Sequence, residues 1–250
     1  MLALREGEAM LDRGDFAGAI RRFTEASRDE TITPAQRADA IDHLGLAYQE
    51  QRKLDAAQAA FKRSLAMRQQ ALGPDDPVVA TSMQHLGRFL NDHRLDPLGA
   101  EPLAEAALAI REKAFGANHL LVAESLELLA AVRAVKGKPA EAEPLLARAV
   151  AIREKAGSLA DLSESLLALG NVYRSMKRWD EAEAQLKRAI AMDPSNATAH
   201  VALGRTYQAT KRGAQATTEL QRGKALFAER DAAEQERARR YGPREPIGAH

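Results

Sequence analysis

Apolar residues recur along this chain with the three- and four-residue spacing of an α-helix. Leu162, Leu166, Leu169 and Tyr173 form one such series, and the three positions between Leu162 and Leu166 are polar. Side chains separated by three or four positions lie on one face of a helix. The spacing therefore predicts a helix that buries one face, and similar series over about residues 1–228 predict an all-α fold.

Identical strings within the chain indicate tandem repeats. Ala-Glu-Pro-Leu at 100–103 returns at 142–145, and Ala-Ile-Arg-Glu-Lys-Ala at 109–114 returns at 151–156. Both offsets are 42 residues, and a looser copy of the second string at 66–68 lies 43 residues earlier. A helix pair cannot bury both of its faces alone, so we expect repeated pairs to stack on their neighbours.

A second series of residues predicts where the two helices of each repeat cross. A Leu-Gly pair ending at Gly170 is followed after three residues by Tyr173, after twelve by Ala182 and after sixteen by Leu186. Small residues allow two helix backbones to approach closely, and large apolar residues fill the space around the crossing. Related arrangements start from Gly7, Gly45, Gly87, Ala130 and Gly204.

These residues resemble the tetratricopeptide repeat family over about residues 1–228. The central units are similar to the 42-residue repeats of kinesin light chains in three features: the Ala-Glu-Pro-Leu string, the Ile-Arg-Glu-Lys helix end, and the loop Leu-Gly-Pro-Asp-Asp-Pro at 72–77. The resemblance implies a right-handed superhelical solenoid of about six antiparallel helix pairs. The implied units are 1–32, 33–75, 76–117, 118–157, 158–194 and 195–228.

Local signals predict where several helices begin and end. Thr33-Pro34-Ala35-Gln36 is a capping-box sequence with proline at the first helical position, and Asp76-Pro77 repeats that arrangement. Pro102 and Pro144 are expected near the first turns of their helices, where a missing N–H costs little. The glycines expected to end helices are Gly73, Gly116 and Gly157.

Three segments depart from the repeat pattern. Residues 94–99 hold one extra residue together with Pro97 and Gly99, so we expect an irregular turn there. Residues 229–240 are rich in charge, which favours a solvated helix extension that caps the repeats. Residues 241–250 are predicted to be a disordered tail.

Composition narrows the functional classes. The 36 Lys and Arg residues and 35 Asp and Glu residues give a net charge of +1, which argues against a dedicated nucleic-acid binder. The absence of cysteine excludes disulfides and thiolate zinc sites. No apolar run approaches the roughly 20 residues that span a bilayer. We expect a cytoplasmic protein, or a periplasmic or exported one if a leader was removed, and the Ala- and Arg-rich composition suggests a bacterial source.

The sequence shows no motif that is typical of catalysis or of metal binding. No histidine has a second histidine three or four positions away, and neither a Gly-x-Ser-x-Gly elbow nor a phosphate-binding glycine loop occurs. We therefore predict no catalytic residue, metal ligand or cofactor. Two alternatives are a metal site assembled across helices and a contact of the basic stretch at 237–244 with nucleic acid or anionic lipid.

The family resemblance implies that the first helix of each pair lines a concave groove that binds a peptide or a partner helix. One stripe of each first helix would then face this groove. The residues in this stripe are Asp39, Asp42 and Gln49 in the second repeat, Gln84, Arg88 and Asn91 in the third, Glu124, Glu127 and Ala131 in the fourth, Asn171 and Arg174 in the fifth, and Arg205 and Gln208 in the sixth.

The side chains of this stripe suggest how a ligand would be held. The Asn91 and Asn171 carboxamides can donate to and accept from an extended peptide backbone, although they can equally be ordinary exposed polar residues. The arginines could pair with acidic side chains or a C-terminal carboxylate. The Lys, Asn and Arg set of the chaperone-tail-binding members is absent. The acidic residues in that stripe favour instead a ligand with some basic character.

Three functional hypotheses follow. The first is a non-catalytic module that binds another protein or a peptide in the groove, without nucleic acid and without a membrane span. The second is a structural element that forms homo-oligomers through the ends of the solenoid. The third is an enzyme or an accessory subunit of one, which would need a group of catalytic residues converging across helices.

The crossing pattern makes a stability prediction. Ala182→Leu should lower the free energy of unfolding by roughly 1–3 kcal/mol, because the larger side chain overpacks a helix crossing. Thermal or urea unfolding of the two proteins measures the difference, and an unchanged melting temperature would contradict the predicted positions of the crossings.

Overall fold

The computed structural model describes residues 2–94, 96–157 and 159–241, and the regular elements within these ranges are all helices, which confirms the predicted all-α fold. None of the described helices is both long and apolar enough to cross a lipid bilayer. The helices are α1 (Leu2–Asp12), α2 (Phe16–Arg28), α3 (Pro34–Glu50), α4 (Leu54–Leu72), α5 (Pro77–His93), α6 (Pro97–Phe115), α7 (Leu120–Val135), α8 (Pro139–Ala156), α9 (Leu159–Ser175), α10 (Trp179–Met192), α11 (Ala197–Ala209) and α12 (Gly213–Tyr241).

Consecutive helices pack as antiparallel pairs inside two compact units. Unit 1 contains the described residues of 2–96 and 233–241, and unit 2 contains those of 97–232. In unit 1, α2 packs on α1 and α3, and α4 packs on α3 and α5. In unit 2, each helix from α6 to α10 packs on the next, and the first helices of successive pairs also meet, α7 with α9 and α9 with α11.

The predicted helix boundaries are confirmed where they depend on capping chemistry. The Thr33 hydroxyl accepts a hydrogen bond from the Gln36 backbone N–H, and the Gln36 side chain accepts one from the Thr33 N–H, so the capping box is complete. The Asp76 carboxylate accepts a bond from the Val78 N–H at 2.8 Å. The three glycines expected to end helices adopt positive φ, a conformation that glycine reaches without strain.

The prolines correct two expectations. Pro102 and Pro144 are each the sixth residue of their helix and not part of the first turn, because α6 and α8 begin five residues earlier at other prolines. Since α6 begins at Pro97, the irregular turn is shorter than expected, and Gly99 is helical. The Asp96 N–H bonds the Leu90 carbonyl at 3.0 Å, which ends α5.

The C-terminal expectations are only partly within the described residues. Helix α12 continues without a break from Gly213 through the charged segment 229–240 and ends at Tyr241. Of the tail predicted to be disordered, residues 242–250 lie outside the described residues.

The predicted crossings place small residues against large ones. A Cβ atom added to Gly45 would lie 2.6 Å from a Phe61 ring carbon, and one added to Gly170 would lie 2.8 Å from Leu186 Cγ. Real Cβ atoms do not approach other atoms so closely, so the two helices meet at a distance that only glycine permits. Ala182 is fully buried at the same crossing as Gly170.

A charged contact joins the last two helix pairs of unit 2. Glu183 on α10 accepts hydrogen bonds from Arg212 at 2.5 Å and from the Tyr207 hydroxyl at 3.2 Å, and it forms an ion pair with Lys187. The Arg212 hydrogen bond is the main reason that the pKa of Glu183 falls to about 2, and Lys187 adds to it. Ionised Glu183 therefore stabilises the folded state.

This contact predicts a pH-dependent loss of stability in Glu183→Gln. The folded-state pKa lies below the unfolded one, so the carboxylate contributes fully above its unfolded pKa and loses its effect as the pH falls toward 2. At pH 7 the variant should lose about 1–3 kcal/mol of unfolding free energy, and the difference from wild type should shrink below about pH 4.5.

Urea unfolding at pH 7, 4.5 and 3 checks this prediction. Glu154→Gln is the control, because Glu154 pairs with Arg188 on the surface. Its replacement should change the unfolding free energy by less than about 1 kcal/mol. A loss in Glu183→Gln that stays constant over this pH range would show that ionisation is not its cause.

Candidate functional site

Three buried arginines occupy equivalent positions at the ends of second helices. Arg68, Arg111 and Arg153 belong to the repeated Met-Arg or Ile-Arg strings and are only 3%, 1% and 6% exposed. A charge taken out of water is costly unless it is paired and hydrogen-bonded. Their partners therefore matter for any site on the neighbouring first helices.

In unit 1, Arg68 joins two first helices. Its guanidinium donates to Asp39 on α3 at 2.5 Å and to the Ser82 hydroxyl on α5 at 2.7 Å. Asp42 lies 3.7 Å from the same guanidinium and accepts a hydrogen bond from His85 at 2.6 Å. Both acidic residues predicted for the second repeat thus have cationic or donor partners inside the chain.

In unit 2, Arg111 and Arg153 act in the same way. Arg111 donates to the Ser125 hydroxyl at 3.0 Å and lies 3.3 Å from the Glu124 carboxylate. Arg153 donates to Glu127 at 2.7 Å, and the Ser165 hydroxyl also donates to Glu127. The two acidic residues predicted for the fourth repeat are therefore paired with buried arginines.

These pairs change the interpretation of the acidic stripe. The expectation of a ligand with basic character assumed that the carboxylates of the stripe face the ligand as uncompensated charges. In the structure, each of the four carboxylates contacts an arginine of its own chain, so this expectation loses its support. The sequence did carry a signal for the pairs, because the arginine recurs in the repeated string and a serine follows it by 14 residues at both Ser82 and Ser125.

Several predicted stripe residues of unit 1 do not lie on the surface. Asp42, Gln84 and Asn91 are buried, at 1%, 3% and 4% exposure, which corrects the expectation that their side chains face a groove. The Asn91 amide donates to Asp92 at 2.8 Å. Gln49 is half-buried, and Arg88 is exposed on α5.

In unit 2, three predicted residues, Glu127, Ala131 and Asn171, lie at the same pocket. A cavity of about 210 Å³ lies between α7, α8 and α9, and its surface is mostly apolar. The polar residues that line it are Glu127, Asn171 and Ser175. Alanines, with Leu146 and Val172, form the rest: Ala130, Ala131, Ala134 and Ala168.

The remaining stripe residues of unit 2 follow the pocket toward α11. Asn171 is half-buried, and its side-chain oxygen Oδ1 accepts a hydrogen bond from Arg174 at 2.8 Å. Arg205 and Gln208 are exposed on α11. Burial lowers the pKa of the Arg174 guanidinium, and the positive charge of Arg205 lowers it further. The surface of α7, α9 and α11 that carries these residues is called the first-helix face below.

The described residues contain no cluster of three or more His, Asp or Glu side chains that could hold a metal ion. The first-helix face offers one apolar cavity, the carboxamides of Asn171 and Gln208, and the guanidinium groups of Arg174 and Arg205. These groups can bind a side chain and a polar backbone.

Models of the tetratricopeptide repeat match residues 37–78, 93–155, 123–195 and 173–238. This chain belongs to the tetratricopeptide repeat family. Such repeats are generally protein–protein interaction modules, and a scaffold of this kind is typically non-catalytic. A comparison with curated proteins gives no match.

Solved structures share the fold at low sequence identity. The TPR-like repeats of a protein described as a kinesin light chain from Podosopora anserina are 23% identical, with a TM-score of 0.65 over 79% of this chain and 97% of that one. BtubC (BKLC) from P. vanneervenii is 18% identical, with a TM-score of 0.69 over 100% and 97%. MamA from Desulfovibrio magneticus RS-1 is 18% identical, with a TM-score of 0.56 over 78% and 97%. These values confirm the likeness to kinesin-light-chain-type repeats as a likeness of fold.

The buried arginines should contribute more to the unfolding free energy than arginines on the surface. Arg153→Met should lower the unfolding free energy by roughly 2–4 kcal/mol, because Glu127 would lose its guanidinium partner while 17% exposed. Adding Glu127→Gln should recover part of this loss by removing the uncompensated charge.

Chemical unfolding of the single and double variants measures these differences. Arg148→Met is the matched control, since Arg148 and its partner Glu112 are 37% and 35% exposed and should contribute less than about 1 kcal/mol. Equal losses in Arg153→Met and Arg148→Met would refute the special role of the buried position.

Proposed function

We propose that this protein is a non-catalytic interaction module, and that the first-helix face of unit 2 binds an extended segment of another protein. The observation that carries the proposal is the cavity between α7, α8 and α9. It is apolar inside and bordered by Asn171, a side chain that can bond a peptide backbone.

The size of the cavity favours a protein ligand over a small molecule. Pockets for drug-sized ligands and cofactors usually enclose about 300–1,000 Å³. The cavity here, at about 210 Å³, is suited to a single aliphatic side chain. A segment that inserts one such side chain would lay its backbone across α7 and α9, next to the Asn171 carboxamide.

The alanines at the cavity support the same function. Ala131 and Ala134 are exposed on α7, and Ala168 is half-buried on α9. Small side chains here leave open a space that larger residues would fill. A hydrophobic pocket with a few well-placed polar groups gives both affinity and orientation.

Filling the cavity should abolish partner binding. Ala131→Phe places a large ring at an exposed position of the cavity wall, so it should block insertion of a partner side chain while leaving the core intact. The test compares proteins retained by immobilised wild type and variant from a lysate of the source organism, quantified by mass spectrometry.

Two further variants make this comparison decisive. Ala147→Phe is the matched control, because Ala147 is exposed on α8 and does not line the cavity. Asn171→Ala tests the polar side chain that borders the cavity. If Ala131→Phe and Asn171→Ala both retain the same proteins as wild type, the first-helix face is not the binding surface.

Self-association through the end of unit 1 is a second candidate. Leu2 is 73% exposed on α1, the first helix of the chain, and it borders a cleft between α1 and α2. An exposed apolar residue at a terminal repeat can pack on a second copy. Light scattering during size-exclusion chromatography distinguishes the two functions, because only self-association requires a mass above that of the monomer.

A further inference from the structure

Arg174 differs from the other arginines that unit 2 withdraws from water. It is half-buried, and its Nη1 donates to the Asn171 side-chain oxygen Oδ1. Its Nε is buried without an acceptor, as are the Nε atoms of Arg111 and Arg153, so the difference lies in the charge partner. In the described part of unit 2, no carboxylate forms an ion pair with it. The other buried or half-buried arginines of this unit each contact a carboxylate: Arg111, Arg133, Arg148, Arg153, Arg178 and Arg212.

A second cation lies on α11, a helix that packs against the helix carrying Arg174. Helices α9 and α11 pack together, and Arg205 on α11 is near enough for its charge to act on Arg174. Neither guanidinium has an ion pair with a carboxylate among the described residues of the chain. A half-buried guanidinium without an anionic partner is costly, and a like charge on the neighbouring helix adds to that cost. An acidic group placed between them would remove that cost.

We propose that Arg174 and Arg205 bind the carboxylate of an aspartate or glutamate side chain in the partner protein, next to an aliphatic side chain that enters the cavity. The inference rests on the proposed function and specifies the partner's chemistry. Guanidinium groups match carboxylates with paired hydrogen bonds, and such bonds are about twice as strong as neutral ones.

Asn171 connects the two parts of this site. It lines the cavity, and its side-chain oxygen Oδ1 holds Arg174 in place at 2.8 Å. The acidic and aliphatic side chains of the partner must therefore lie close together in its sequence. Glu127 on the opposite wall does not repel such a segment as a free anion would, because Arg153 already pairs with it at 2.7 Å.

The test is a selection of random twelve-residue peptides that are displayed as internal segments, so that none has a free C-terminus. Wild type, Arg174→Met combined with Arg205→Gln, and Arg188→Met are used as baits. Arg188 is the control, since it is exposed on α10 and pairs with Glu154. Wild type and control should select peptides with Asp or Glu near an aliphatic residue, and the double variant should lose the acidic preference but keep the aliphatic one.

Binding and stability measurements complete the test. The best wild-type peptide should bind the double variant about 10–100-fold more weakly, and replacing its acidic residue with the amide should weaken binding to wild type equally. Arg174→Met should melt no lower than wild type, because it removes an unpaired charge. A melting temperature lowered as much as in Arg153→Met would mean that Arg174 is structural and would overturn the proposal.

The remaining outcomes separate the two proposals. Peptides selected without acidic residues, or equally by both baits, would overturn the arginine site while leaving the cavity function standing. Binding that requires a free C-terminal carboxylate or a phosphate on synthetic peptides would also overturn it. If wild type selects no peptide, the proposed function itself fails.

Discussion

Within each unit, first helices meet their second helices where a glycine faces a bulky apolar side chain, as at Gly7, Gly45, Gly170 and Gly204. At Gly45 and Gly170 the distance is so short that one added carbon atom would collide with Phe61 or Leu186. This close approach fixes the separation of the helices, and the separation decides which longer side chains can reach the next repeat. The buried arginines and the cavity of unit 2 both depend on it.

The three buried arginines show how the stacked helix pairs compensate a buried charge. Arg68, Arg111 and Arg153 extend from second helices to carboxylates and hydroxyls of first helices. Each ion pair compensates a charge that would be costly to bury alone. The same contacts compensate the charge of four carboxylates, although the Asp39 and Glu124 side chains stay 40% and 41% exposed. The ion pairs that stabilise the repeats therefore also leave little uncompensated negative charge for a ligand.

Arg174 is informative because it does not follow this rule. It is withdrawn from water like the paired arginines of unit 2, yet among the described residues it has a hydrogen bond to Asn171 Oδ1 and no carboxylate partner. Binding sites commonly keep groups that reduce the stability of the free protein, because the ligand supplies the missing partner. The apolar cavity beside Asn171 is the second part of the same surface, and together they describe a segment with one aliphatic and one acidic side chain.

The sequence alone determined the repeat length, the capped helix starts and the crossing residues, because these depend on contacts at fixed short spacings within a helix pair. The sequence also contained a signal for where α6 and α8 begin, because the prolines at their first positions, 97 and 139, are 42 residues apart. Only the tertiary structure decided which charges meet. Asp39 and Arg68 are 29 residues apart, and Glu127 and Arg153 are 26 apart. The sequence shows that each residue is charged, but its periodicity does not show which of them form ion pairs. The cavity likewise needs three helices at once, and no single stretch of sequence specifies it.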